Sequence, residues 1–269
     1  MIRTCCFFSK SFDPTLGWVR KKNSTGIEKG EQKQIFFKID EIGSRTNSNS
    51  GKYVPTIACF GDSYAFCRQV DNDETWEYFL SEFLETGVIN FGVGNYGLDQ
   101  ALIRYKNTDL PTSVNTVIMA VVPETICRIQ SNWKHYLEFG NTFAFKPKFF
   151  LENGHLKLQE NPMQNEIDFL NYREKLPFIQ SNDRFYKEKF RKFQFRFPYT
   201  ISFIRNRPSS MWREEFVTLG LRTGNESFTI ETVIRDMASL ISFCEVLPNL
   251  ESKLPPDSLK LCLCPRSIG

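Results

Sequence analysis

An α/β fold, with a parallel sheet and helices on its faces, is predicted for this 269-residue chain. Three observations carry that expectation. Short apolar runs at 56–60, 88–91, 116–122 and 259–263 read as strands. Amphipathic stretches at 73–86, 98–106 and 230–244 read as helices between them. Strand and helix therefore alternate, as parallel strands joined by helical crossovers require. In such sheets the ligand binds at the carboxyl ends of the strands. That rule points to the loops around Ser63, Asn95 and Glu124 before any motif is considered.

The first strand, 56–60 (TIACF), stops at Gly61-Asp62-Ser63. In the helix that follows, Trp76, Phe79, Leu80, Phe83 and Leu84 recur at the spacing of one helical face and form the expected buried stripe. Asp73 is the expected cap at its start and Gly87 at its end. The second strand is 88–91 (VINF), followed by a loop made permissive by Gly92, Gly94 and Gly97. A helix over 98–106 places Leu98, Leu102 and Ile103 on one side. The run 116–122 is apolar throughout and reads as a strand buried on both faces, ended by Pro123. Ile230, Val233, Ile234, Met237, Ile241 and Cys244 mark a later helix, and 259–263 a fourth strand.

Composition narrows the class. With 41% hydrophobic and 24% charged residues the chain is of ordinary globular make-up, and its length allows a sizeable core without disulfide staples. The apolar runs are far shorter than the roughly 20 residues that a spanning helix needs. A cytoplasmic protein, or one peripheral to a membrane, is expected. The eight cysteines lie scattered, without a CxxC pair, and there are only two histidines. Close-spaced zinc ligands are therefore absent and free thiols are expected. Cys262 and Cys264 read as same-face residues of a strand. No cofactor or metal is called for.

Residues 1–52 read as a polar, irregular N-terminal arm, and 53–269 as the α/β domain with an insertion over about 133–225. The insertion is rich in Phe and in positive charge. Residues 184–213 carry nine Lys/Arg against one Glu, although the whole chain is only +3. Tyr186, Phe190, Phe193 and Phe197 follow helical spacing there. An amphipathic basic helix has two readings. It contacts an anionic surface such as lipid, or it is a solvated helix packed by its Phe face. No nucleic-acid recognition motif accompanies it, so nucleic acid is not an expected partner.

The motif with chemistry in it is Phe60-Gly61-Asp62-Ser63-Tyr64, directly after a buried strand. Gly permits the sharp turn, and the hydroxyl then stands at the sheet edge, where a serine acts as a nucleophile once a base takes its proton. Together with Val88-Ile89-Asn90-Phe91-Gly92-Val93-Gly94-Asn95-Tyr96-Gly97, this resembles the SGNH (GDSL-type) hydrolases over roughly residues 54–125. Residues 16–20 (LGWVR) and 37–40 (FKID) also look like a leading segment of some bacterial members. The resemblance implies a flavodoxin-like, three-layer α/β/α fold and a serine esterase or related acyltransferase, acting on an acylated carbohydrate or small ester. It implies Ser63 as nucleophile. The backbone N–H groups of Ser63 and of Gly94 or Asn95 would form the oxyanion hole, with Asp62 and Glu124 lining the site.

The chain departs from that pattern in three places. Asn95 stands where the family has a glycine in the oxyanion hole. Glu124 stands where an asparagine donor is usual, and an ionised carboxylate cannot donate. An Asp-x-x-His block, the family's source of the base, is absent. The chain ends just after the fourth strand, which reads as a sheet incomplete at its C-terminus, a truncated or frame-shifted copy or a natural short form. His135 and His155 both read as surface or structural residues. Three functions fit: a serine ester hydrolase, active or not; a non-catalytic module of the same fold that binds a glycan or acyl ligand; and a flavodoxin-like binder of phosphate at the Ser63 loop, which lacks P-loop spacing.

Overall fold

The computed structural model of the chain describes residues 11–30, 33–153 and 155–187 and the backbone of 259–263. It divides into two compact units, residues 1–129 with 245–269, and residues 130–244. The expected helices at 186–197 and 230–244 fall on residues outside the described ones, apart from 186–187, and so does Cys264.

The leading residues of the first unit are more ordered than their polar composition suggests. A two-residue ladder pairs β1 (Phe12–Asp13) with β2 (Gly17–Trp18). An antiparallel hairpin follows, β3 (Ser24–Lys29) against β4 (Gln34–Ile39). In β4 burial alternates strictly, with Ile35, Phe37 and Ile39 inside, as a sheet with one packed face demands. The expectation of an irregular arm overlooked this period-two pattern, which Gly, Asn and Ser on either side dilute.

The central sheet is parallel. β5 (Pro55–Phe60) lies between β6 (Gly87–Asn90) and β7 (Thr116–Val121). β10 (Leu259–Leu263) pairs parallel with the far side of β7, Leu259 opposite Val117 and Leu263 opposite Val121. The spatial order β10-β7-β5-β6 means that the chain steps one way from β5 to β6 and then crosses to the other side for β7. A reversal of this kind leaves a crevice at the carboxyl ends of β5 and β7.

Helices cover both faces. α1 (Trp76–Leu84) sets Trp76 and Leu80 against Ile57, Cys59 and Val88. α2 (Leu98–Lys106) meets the opposite face, where Tyr105 packs edge-on against Phe60, 5.4 Å away, and Phe60 stacks on Phe91. Alternate β5 residues point to opposite sides, so one strand serves both layers. α2 is buried on every side from Leu98 to Tyr105, because the leading segment lies over its outer face. Gln100 donates to the Leu16 carbonyl, and the Tyr96 hydroxyl to that of Trp18.

Several details differ from the sequence expectation. α1 is capped by Thr75, whose Oγ1 accepts from the Tyr78 N–H, and not by Asp73. Its end turns at Glu85 in the left-handed region (φ 50°), not at Gly87. Its stripe is also displaced. Glu77 and Ser81 are the buried residues, while Phe79, Phe83 and Leu84 are 60%, 84% and 48% exposed. Asn90 on β6 and Cys67 on the turn after β5 donate hydrogen bonds to Glu77, which takes the inner face. β7 is not buried on both sides: Val117, Met119 and Val121 are buried, and the alternate residues half-buried. Pro123 ends it but also opens a helix, α3 (Pro123–Arg128), the position where a missing N–H costs least.

The second unit holds α4 (Lys134–Leu137), a hairpin of β8 (Lys148–Glu152) and β9 (His155–Gln159), and the helices α5 (Glu166–Leu170) and α6 (Tyr172–Asn182). Trp133 stacks on Phe145 at 4.7 Å. The fully buried Asp183 accepts from the Ser131 hydroxyl and the Asn132 N–H. Among the described residues, no helix is long and apolar enough to cross a membrane.

Candidate functional site

β5 ends at Phe60, and the chain turns at once. The Asp62 carbonyl accepts from the Phe66 N–H (2.9 Å) and the Ser63 carbonyl from the Arg68 N–H (3.2 Å). Ser63 is thereby held half-buried at the carboxyl edge of the sheet, next to the exposed Tyr64. The loop after β6 comes against this turn. A Cβ on Gly92 would lie 2.3 Å from the Phe66 nitrogen, a separation that real side chains do not reach, so only glycine lets the two loops meet.

One buried ion pair braces the same edge. Asp62 Oδ1 accepts from the Tyr64 N–H, and Oδ2 pairs with Arg128 Nη1 at 2.9 Å. The same nitrogen donates to the Tyr96 carbonyl at 3.0 Å. Arg128 thus ties together the loop after β5, the loop after β6 and the helix after β7. Asp62 is engaged in this brace, with its side chain only 1% exposed.

A second polar cluster lies beneath the turn. Asn90, the last residue of β6, donates from Nδ2 to the Ala65 carbonyl (2.7 Å) and to Glu77 Oε1 (2.9 Å), and its Oδ1 accepts from the Gly92 N–H. Cys67 donates its thiol to Glu77 Oε2. Burial pushes the Glu77 carboxyl up to about 8, because a low-dielectric surrounding disfavours the ionised form. Burial and the neighbouring Glu77 likewise push the Cys67 thiol up. Arg45, itself buried, donates to the carbonyls of Phe66, Cys67 and Val70 and so holds the far end of the turn.

Gly94 and Asn95 lie half-buried on the second loop, Asn95 with φ 71°. Among the described residues, the backbone N–H groups of Ser63, Gly94 and Asn95 meet no acceptor, and Ser63 Oγ has no hydrogen bond. Glu124 is half-buried in the first turn of α3, where an acid complements the unpaired N–H groups of a helix start. His135 and His155 both belong to the second unit. His135 Nδ1 accepts from the Gly140 N–H and its ring stacks on Trp133. Desolvation lowers its pKa. His155 opens β9, beyond the reversal at Asn153, rather than lying in a turn. Among the described residues, no three His, Cys, Asp or Glu side chains converge as a metal site requires.

The sequence reading did not find Arg128, Asn90, Glu77 or Arg45. A faint signal existed for each of two. Asn90 is the polar end of an otherwise apolar strand, and Glu77 and Ser81 form a second, polar i, i+4 pair on α1. Arg128 and Arg45 looked like any surface arginine.

Among solved structures, the chain is similar to AlinE4, an SGNH-hydrolase family esterase, and to two point variants of it. Identity is 13–14%, over 75% of this chain and 97% of theirs, with a TM-score of 0.26. No family model matches the chain, and no curated protein does. At that TM-score the architecture rests on the strand order and register described above.

Proposed function

We propose that this chain is an SGNH-type serine ester hydrolase, with Ser63 as the acyl-accepting nucleophile. The observation that carries this reading is the set of backbone N–H groups at Ser63, Gly94 and Asn95 that meet no acceptor among the described residues, on the two loops that meet at the carboxyl edge of the sheet. Donors held in place before reaction stabilise the negative charge that develops on a carbonyl oxygen. The strand order, second-first-third-fourth along the sheet, is also the start of the flavodoxin-like order.

In the reaction, Ser63 Oγ attacks an ester carbonyl and its proton passes to a base. The alcohol leaves with a proton, and water then releases the acid from the acyl-serine. Both oxygens of Asp62 serve the brace, Oδ1 to the Tyr64 N–H and Oδ2 to Arg128. The sequence has two histidines and no Asp-x-x-His block. Loss of the histidine from a serine triad removes most of the rate, so slow turnover is expected, with activated esters acylating best. The substrate class is a small acyl ester or an acylated carbohydrate.

The same histidine count, with Glu124 in place of an amide donor, favours one other reading: a module of this fold that binds a glycan or acyl ligand without turnover. A fluorophosphonate probe separates the two. Labelling of the folded chain that disappears in Ser63→Ala supports the hydrolase. Absence of labelling in the folded wild type refutes an activated Ser63 and leaves the binding module.

A further inference from the structure

The first unit holds a cavity of about 660 Å³ between the leading segment and the end of α2. None of the residues that line it belongs to the Ser63 turn. The volume is within the usual range for small-molecule sites. Its walls carry Arg20, Lys21, Lys22 and Arg104 against Asp13 and Asp109, an excess of positive charge in a concave space.

The side chains of two of these residues flank Gly43. Gly43 has φ 90°, and a Cβ built on it would lie 3.7 Å from Lys22 Cε and 3.7 Å from Arg104 Nη2. One methyl-sized space is therefore flanked by a lysine and an arginine. Arg104 is 5% exposed. Its Nη2 donates to the Gly43 carbonyl at 2.7 Å, and its Nη1 meets no acceptor among the described residues. Asp13, Asp40 and the Tyr96 hydroxyl lie near enough to favour its charge, while the carboxylates also serve backbone groups. Asp13 Oδ1 accepts from the N–H groups of Thr15 and Leu16. Asp40 accepts from the N–H groups of Ile42 and Ser44 and from the Ser44 hydroxyl. Arg20 is already paired with Glu28. Lys21 and Lys22 have no acidic partner among the described residues.

Like charges near one another repel; Asp13 and Asp40 offset Arg104, whereas Lys22 has no acidic partner among the described residues. The position of Arg104 in the last turn of α2 accounts for a cation there, but not for the Lys22 side chain beside Gly43. We propose that this cavity binds the oxyanion group of a small molecule, a phosphate or a carboxylate, between Lys22 and Arg104 over Gly43. Charge-assisted hydrogen bonds from both side chains hold such a group.

The test is calorimetric titration of the full chain with inorganic phosphate, and separately with acetate, at constant ionic strength. Saturable binding of either anion is expected. It weakens about tenfold in Lys22→Ala, the loss of one charge-assisted bond, and is retained in Lys157→Ala on the second unit. Lys22 is exposed, so its truncation leaves the fold intact. Binding of acetate but not phosphate identifies the ligand as a carboxylate, and the reverse as a phosphate. No saturable binding of either, or equal binding in Lys22→Ala, overturns the proposal. Ser63→Ala retains anion binding, which keeps this result separate from the fate of the hydrolase reading.

Discussion

Arg128→Met is the substitution that most directly probes the brace at the carboxyl edge. It keeps most of the side-chain length and removes the charge. Asp62 is then left buried without its counter-ion, because its Oδ2 has Arg128 as ion-pair partner at 2.9 Å and the two side chains are 1% and 9% exposed. Breaking a buried pair in this way costs about 3–5 kcal/mol. The lost bond from Nη1 to the Tyr96 carbonyl adds about 1 kcal/mol. Urea unfolding gives the measurement, with the midpoint and slope compared between wild type and variant. The double variant Asp62→Asn with Arg128→Met recovers part of the loss, since no unpaired charge remains, and completes a double-mutant cycle. A loss below about 1 kcal/mol, the range of exposed salt bridges, refutes the claim that this pair is buried and holds the three loops.

Two further substitutions test the cluster below the turn and the orientation of α1. Glu77 has its carboxyl raised to about 8 in the folded chain, so the native state keeps a proton that the unfolded chain sheds near its ordinary value. The contribution of Glu77 to stability is then fully present below about pH 4.5 and is lost as pH rises towards 8, at up to about 1.4 kcal/mol per pH unit. Glu77→Gln is expected to flatten that decline, measured as urea midpoints from pH 5 to pH 8, and an unchanged slope in the variant excludes Glu77 as its source. Phe83→Ala is expected to change stability by no more than about 0.5 kcal/mol, because Phe83 is 84% exposed. A loss of about 3–5 kcal/mol, the cost of truncating a core phenylalanine, would restore the stripe that periodicity suggested.

Local sequence pattern was enough to read an α/β fold and the place of the candidate nucleophile. Runs such as 56–60 and 116–122 are apolar, short and bounded by Gly or Pro, and local pattern suffices to read them as strands. Gly61-Asp62-Ser63 after the first of these locates the turn, because chain direction alone carries Ser63 to the carboxyl end of β5. Tertiary structure decided what periodicity cannot encode. The inner face of α1 went to Glu77 and Ser81 because Asn90 and Cys67, on the neighbouring strand and turn, supply hydrogen bonds to Glu77; a buried polar group with partners competes with an apolar one. Asp62 became a brace because Arg128, 66 residues later in the chain, arrives beside it. Lys22 and Arg104 come to flank Gly43 because the leading segment folds back over α2. Each of these outcomes depends on contacts between residues far apart in sequence. Their energies arise only once desolvation has made a hydrogen bond or a charge pair matter, and that is a property of the packed molecule rather than of any local stretch of chain.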